Sequence, residues 1–150
     1  MPEIRPLIKE SLLCLIRNSV GTKMFQNFFC LINGKKKDII ENGRYACAFF
    51  VSSALNIFGL ISEGHTTVDG TLKDMKKNGF EEIKKPKEGS VILWEERDGN
   101  RHLGFYIGKE KAISARPEKK TPMVHDFKYR SDARGERKIE KIFWHKKLDE

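Results

Sequence analysis

Residues 89–115, GSVILWEERDGNRHLGFYIGKEKAISA, hold three apolar runs separated by two short polar breaks. Asp98-Gly99 suits a type I′ turn, because both central residues of that turn need a positive φ. "GKEK" at 108–111 is a second break of the same kind. The runs "GSVILWEE" (89–96), "HLGFYIG" (102–108) and "KAISA" (111–115) therefore read as successive antiparallel strands. "PMVHDF" (122–127) and "KIEKIFWH" (138–145) extend the series to five.

Upstream the period is helical. Leu7, Leu12, Ile16 and Val20 fall near helical spacing, and Met24, Phe25, Phe28 and Phe29 continue as a second stripe. This predicts a helical lead over residues 1–41, with "NGKKKD" (33–38) as a turn and charge run near its end. A helix over Ala46–Phe58 places Phe49, Phe50, Ser53, Ala54 and Ile57 on one face, with Gly59 as its stop. Thr66 and Asp69 have capping-box spacing ahead of a helix ending at Gly79. Helices followed by a run of strands give an α+β class: a helical N-terminal half packed on a five-stranded antiparallel sheet. The 150 residues suit a single domain, 1–150, with a core over 42–127 and a basic C-terminal strand and tail over 128–150.

Composition narrows the function. Hydrophobic residues are 39% and charged residues 33%, which suits a packed globular chain. Apolar stretches such as "SLLCLI" are too short to span a bilayer, and no secretory signal is evident, so the expected location is cytoplasmic, short of lysis or non-standard export. Cys14, Cys30 and Cys47 are odd in number and widely spaced. That argues against a disulfide framework, and the absence of CxxC and HExxH argues against a zinc site; no metal or cofactor is expected. The net charge is +8. Eight basic side chains between residues 128 and 147 make a candidate face for an anionic polymer, weighed against an ordinary solvated surface.

One cysteine differs from the other two. Cys14 and Cys30 lie within apolar stripes, whereas Cys47 stands at the first turn of its helix in "RYACAFFVSSAL" (44–55). Unpaired N–H groups and the helix dipole favour a thiolate there. A thiolate nucleophile needs a base, usually histidine, supplied by the fold. Of His65, His102, His125 and His145, His102 opens a strand directly after the Asp98-Gly99 turn. His65 reads as a loop residue and His145 as structural or solvent-facing.

"ACAFFVSSAL" followed by "KEGSVILWEE", "RHLGFYIG" and "KAIS" resembles the NlpC-like cysteine peptidases and the CHAP amidases of the papain-like superfamily. The resemblance covers residues 42–115 and extends toward 127. It implies hydrolysis of amides, most often in peptidoglycan stem peptides or their links to sugar, without a cofactor. It assigns Cys47 as nucleophile and His102 as general base. The third catalytic residue is Ser114 or His125, with His125 favoured for its longer side chain and with Asp126 then on the opposite face. "GSV" replaces the family's Gly-Asp, leaving Ser90 to hold the strand entry. Tyr45 and Trp94 are candidates for the oxyanion or substrate site, and the Cys47 backbone N–H is a candidate oxyanion donor. Two other functions fit the same residues: a binding module with a polyanion-holding basic face, and a thiol acyltransferase.

Overall fold

The computed structural model describes residues 1–150. Three helices, α1 (Ile8–Asn18), α2 (Cys47–Ile57) and α3 (Val68–Lys77), precede most of the strands. A small hairpin of β1 (Phe29–Ile32) and β2 (Lys35–Asp38) lies between α1 and α2. The main sheet has six strands, not five. It comprises β3 (Glu81–Ile83), β4 (Val91–Arg97), β5 (Asn100–Gly108), β6 (Lys111–Ala115), β7 (Pro122–Asp126) and β8 (Ile139–Trp144). Their order is β3-β8-β4-β5-β6-β7, antiparallel throughout. The added strand has only three residues and no alternation of its own; it forms because Glu81, Glu82 and Ile83 find partners in β8.

The helical lead is also shorter than its periodicity suggests. α1 ends at Asn18, and Asn33 and Gly34 adopt φ of 51° and 78°, the geometry of a two-residue hairpin turn. Of the second stripe only Phe25 is buried. The lysines of "KKK" are strand residues of β2 rather than a boundary loop. In α2 the buried positions are Ala48, Phe50, Val51, Ser52, Ala54 and Leu55, while Ile57 is exposed. The cap of α3 falls one residue later than the motif implies: Thr67 accepts from the Gly70 N–H at 3.0 Å, so Thr66 and Asp69 form no capping box.

Alternation divides the sheet into two faces. Val91, Leu93, Leu103, Phe105, Ile113 and Ala115 meet the helices in the main core, where Phe50 stands edge-to-face against Phe25 and Phe105. Ile92, Trp94 and Ala112 form a smaller second core with Phe127 and Tyr129. Ser90 is buried and donates to the Lys87 carbonyl at 2.7 Å, holding the entry to β4. No helix is long and apolar enough to cross a membrane.

Strands β5 and β6 approach closely at Gly104. A Cβ there would stand 2.8 Å from the Ile113 carbonyl oxygen, 2.8 Å from Ser114 Cβ and 2.9 Å from the Trp94 ring. Two of these neighbours are rigid, so a methyl group can be admitted only by separating the strands. Gly104→Ala is expected to cost about 1–3 kcal/mol of stability, read as a lower urea midpoint at unchanged slope.

Candidate active site

Cys47, His102, Ser114 and His125 are delivered by four different elements: the start of α2, β5, β6 and β7. Trp94 pairs with His102 across β4 and β5. Its fully buried indole forms a floor under three rings, with centroids 5.4 Å from His102, 5.5 Å from His125 and 5.3 Å from Tyr129. The indole N–H donates to the Phe127 carbonyl at 2.8 Å. Trp94 therefore supports the site from beneath and does not line the cleft, contrary to a substrate-binding role.

The buried polar groups on this floor make one hydrogen-bonded chain. His125 Nδ1 lies 2.9 Å from the Asp126 carbonyl oxygen. A carbonyl only accepts, so Nδ1 carries the proton and the neutral ring presents a bare Nε2. Ser114 Oγ is 2.6 Å from that Nε2 and donates its single proton to it. The serine oxygen then accepts from His102 Nε2 at 2.9 Å. His102 is left with its proton on Nε2 and a lone pair on Nδ1. Tyr129 OH, 3.4 Å from Ser114 Oγ, supplies a further donor. The direct partner of His102 is thus Ser114, not the favoured His125, and His125 acts on it through the serine.

Burial keeps both histidines neutral. It holds His102 well below the usual imidazole range, with the nearby Arg137, His125 and Arg116 charges pushing the same way. Burial also brings His125 down to about 4, partly opposed by its bond to the Asp126 carbonyl.

The Cys47 thiol departs from expectation. Burial pushes it above the ordinary thiol range; the Leu103 and Ala48 N–H groups and the Arg137 charge act in the opposite direction but do not prevail. The helix N-terminus does favour the thiolate, as its Ala48 donor shows, but desolvation of the sulfur is the larger effect. The resting pair is therefore a neutral thiol and a neutral imidazole.

Cys47 and His102 both open on a cleft of ≈ 960 Å³, together with Tyr45, Tyr129 and Arg137. Seven basic and four acidic side chains line it. The acids are already paired, Asp69 with Arg101, Asp98 with Arg134, and Glu118 and Asp132 with Arg116. Arg137 and Arg97 have no carboxylate partner. Arg137 donates to the Glu95 and Asn100 carbonyls at 2.9 and 2.8 Å, and Arg97 to the Glu136 carbonyl at 2.8 Å. Tyr45 is exposed on the rim beneath the Arg44 guanidinium.

The basic C-terminal run does not present one uniform cationic face. Arg130 pairs with Asp126 and Glu110, Arg134 with Asp98, and Lys141 with Glu82, while Arg137 lies in the cleft wall. Asp126 also accepts from the Lys128 and Arg130 N–H groups. This turn presents Tyr129 at a φ of 60°, stacked on His125 with centroids 4.4 Å apart. Tyr129 and Arg137 were not anticipated from the sequence; both lie in irregular backbone whose course no periodicity encodes.

The remaining histidines stand apart. His65 Nε2 is 2.7 Å from the buried Asp74 carboxylate, which also accepts from the Ser62 and Glu63 N–H groups. This cluster fixes the segment leading to Thr66 and Thr67 on the cleft rim. His145 donates to the Asn78 carbonyl at 2.7 Å and accepts from the Lys147 N–H. Cys14 and Cys30 are free thiols outside the cleft, Cys14 exposed and Cys30 partly so.

With this geometry in place, comparison with known proteins is informative about the fold. The chain is similar to NlpC2 from Trichomonas vaginalis. That structure aligns with a TM-score of 0.55 at 16% identity, over 93% of this chain. This chain spans 48% of the length of that one. No family model and no curated protein matches the sequence. The likeness supports an NlpC-like α+β fold.

The low pKa of His125 has a consequence for stability. The unfolded chain protonates this ring near 6.5, the folded chain only near 4. The unfolded state thus binds the proton more readily between these values, and stability falls as the pH drops through that window. At pH 5 His125 alone should cost about 2 kcal/mol relative to pH 7, and His102 adds in the same direction. Urea unfolding at both pH values should show this loss, and His125→Gln should make it smaller by about that amount.

Proposed function

We propose that this protein is a thiol-dependent amide hydrolase, with Cys47 as nucleophile and His102 as general base. The observation that carries this reading is the proton-ordered chain Asp126 carbonyl–His125–Ser114–His102. It leaves Nδ1 unprotonated on His102, which lines the same cleft as the only cysteine at a helix N-terminus. Ser114 and His125 are positioning residues: they hold the tautomer of His102, as the third member of a catalytic triad does.

In the resting structure the thiol and the imidazole are not hydrogen-bonded to each other, and such contacts commonly tighten only with substrate bound. His102 Nδ1 removes the thiol proton as sulfur attacks the amide carbonyl carbon. The oxygen takes the electron pair, and N–H groups at the start of α2 face it. His102 then returns the proton to the nitrogen as the C–N bond breaks, and the amine leaves. Water attacks the thioester, giving its proton to His102. The C–S bond breaks, the acid departs and the thiol is re-formed.

Arg137 and Arg97, free of carboxylate partners, favour an acyl donor that carries its own carboxylate near the scissile amide. A peptidoglycan stem peptide has that character. Incubation with stem peptides should release a new amine, and Cys47→Ala should reduce the rate by at least about a thousandfold. Ser114→Ala should lower kcat by about tenfold to a hundredfold with little change in KM. Absence of turnover, together with failure of Cys47 to form a covalent adduct with a peptide aldehyde, would sink the proposal.

Because the free thiol titrates above the ordinary range, its alkylation by iodoacetamide should lag behind that of glutathione at neutral pH. The rate should keep rising with pH beyond the point where glutathione levels off. A plateau already reached at mildly acidic pH would instead mean a preformed thiolate–imidazolium pair.

A further inference from the structure

The β1–β2 hairpin holds apolar side chains out in water. Phe29, Leu31 and Ile32 on β1 are 58%, 75% and 47% exposed, and Met24 just before the hairpin is 74% exposed. The hairpin is not loosely attached. Asp38 accepts from the Phe28, Ile40 and Asn42 N–H groups and from the Asn27 amide, locking the base. Phe25 and Phe28 fix that base to Phe49 of α2, with ring centroids 6.0 and 5.5 Å apart. A rigidly mounted element with this much apolar exposure marks an interaction site.

Its charge and shape indicate the partner. Register sets a lysine beside each residue of the β1 tip: Cys30 opposite Lys37, Leu31 opposite Lys36, and Ile32 opposite Lys35. Cross-strand partners share a face and successive residues alternate. Phe29, Leu31 and Lys36 therefore project from one face, Ile32, Lys35 and Lys37 from the other. The Lys36 ammonium lies 4.7 Å from the Phe29 ring centroid, its stem along apolar surface. Exposed apolar side chains and lysines on both faces match a partner that surrounds the hairpin and carries negative charge, as an anionic lipid interface does.

We propose that the β1–β2 hairpin docks this protein on an anionic lipid surface. Phe29, Leu31 and Ile32 enter the boundary between headgroups and acyl chains, and Lys35, Lys36 and Lys37 meet the lipid phosphates. Both outer edges of this two-stranded sheet carry main-chain groups without strand partners. Such groups need water, which holds the hairpin at headgroup depth rather than in hydrocarbon. The proposal is independent of the chemistry assigned to the cleft.

The test is co-sedimentation of the full chain with vesicles of phosphatidylcholine alone or with one-third phosphatidylglycerol. The anionic vesicles should bind about a hundredfold more tightly, since each lysine contributes roughly fivefold. Lys35→Gln, Lys36→Gln and Lys37→Gln together should remove most of that preference. The charge-neutral pair Leu31→Ser and Ile32→Ser should weaken binding by at least about tenfold. Ile57→Ser, which changes an exposed apolar residue elsewhere, should change nothing. Circular dichroism and the thermal midpoint report that the exposed substitutions leave the fold intact. Vesicle binding that survives both sets of hairpin substitutions, no binding to anionic vesicles, or a concentration-dependent dimer abolished by Leu31→Ser would each overturn the proposal.

Discussion

The close approach of β5 and β6 over Trp94 is the contact on which the candidate site depends. Only at Gly104 is the backbone bare enough for Ser114 and the indole to meet it together. This proximity sets Ser114 within hydrogen-bond reach of rings from the strands on either side of it. His102, Ser114, His125 and Tyr129 are all buried, so their polar atoms need partners, and no buried side-chain nitrogen or oxygen lacks one. One end of the chain is a main-chain carbonyl, which can only accept. From that single fact the proton positions of three residues follow in order. The sheet specifies a tautomer as well as a shape.

Burial also decides the charge state. It raises the Cys47 thiol and lowers both imidazoles, so the same desolvation keeps nucleophile and base uncharged at rest. Arg137 acts on both groups: it favours the thiolate and disfavours the imidazolium. On the proposed reading, an anionic substrate group against Arg137 would relieve the second effect and make His102 a better base once the cleft is filled. Charge would then be created where the α2 N–H groups can receive it, not stored beforehand.

The legible parts of the sequence were those set by local rules. Alternation and the Asp98-Gly99 turn located β4 to β6, and the helical pattern placed Cys47 in the first turn of α2. What escaped was set by contacts distant in sequence. β3 has no pattern and exists through β8. Phe28 and Phe29 continue a helical spacing by coincidence, while Asn33-Gly34 folds the segment into a hairpin. Tyr129 reaches the site through the Asp126 turn, and Arg137 through carbonyls at Glu95 and Asn100. The order of Ser114 and His125 in the hydrogen-bonded chain could not be read from alternation, because it is set by contacts across three strands. The direction of the thiol pKa is hidden for a related reason: the helix end is visible in sequence, whereas the desolvation of the sulfur comes from the packed fold.

Helix α2 joins the two surfaces. Phe49 takes the weight of the hairpin through Phe25 and Phe28, and Cys47 lies two residues away at the start of the same helix. The next residue, Phe50, is fully buried against Phe105 of β5, the strand that carries His102. Hairpin, nucleophile candidate and base candidate are thus mounted on one packed unit with no flexible linker between them. A hairpin held at a surface would fix the orientation of the cleft relative to that surface, because tilting one without the other would mean unpacking Phe49 and Phe50. The exposed apolar strand and the buried polar chain look unrelated in sequence; in the fold α2 and β5 connect them, with Phe105 and His102 on opposite faces of the same strand.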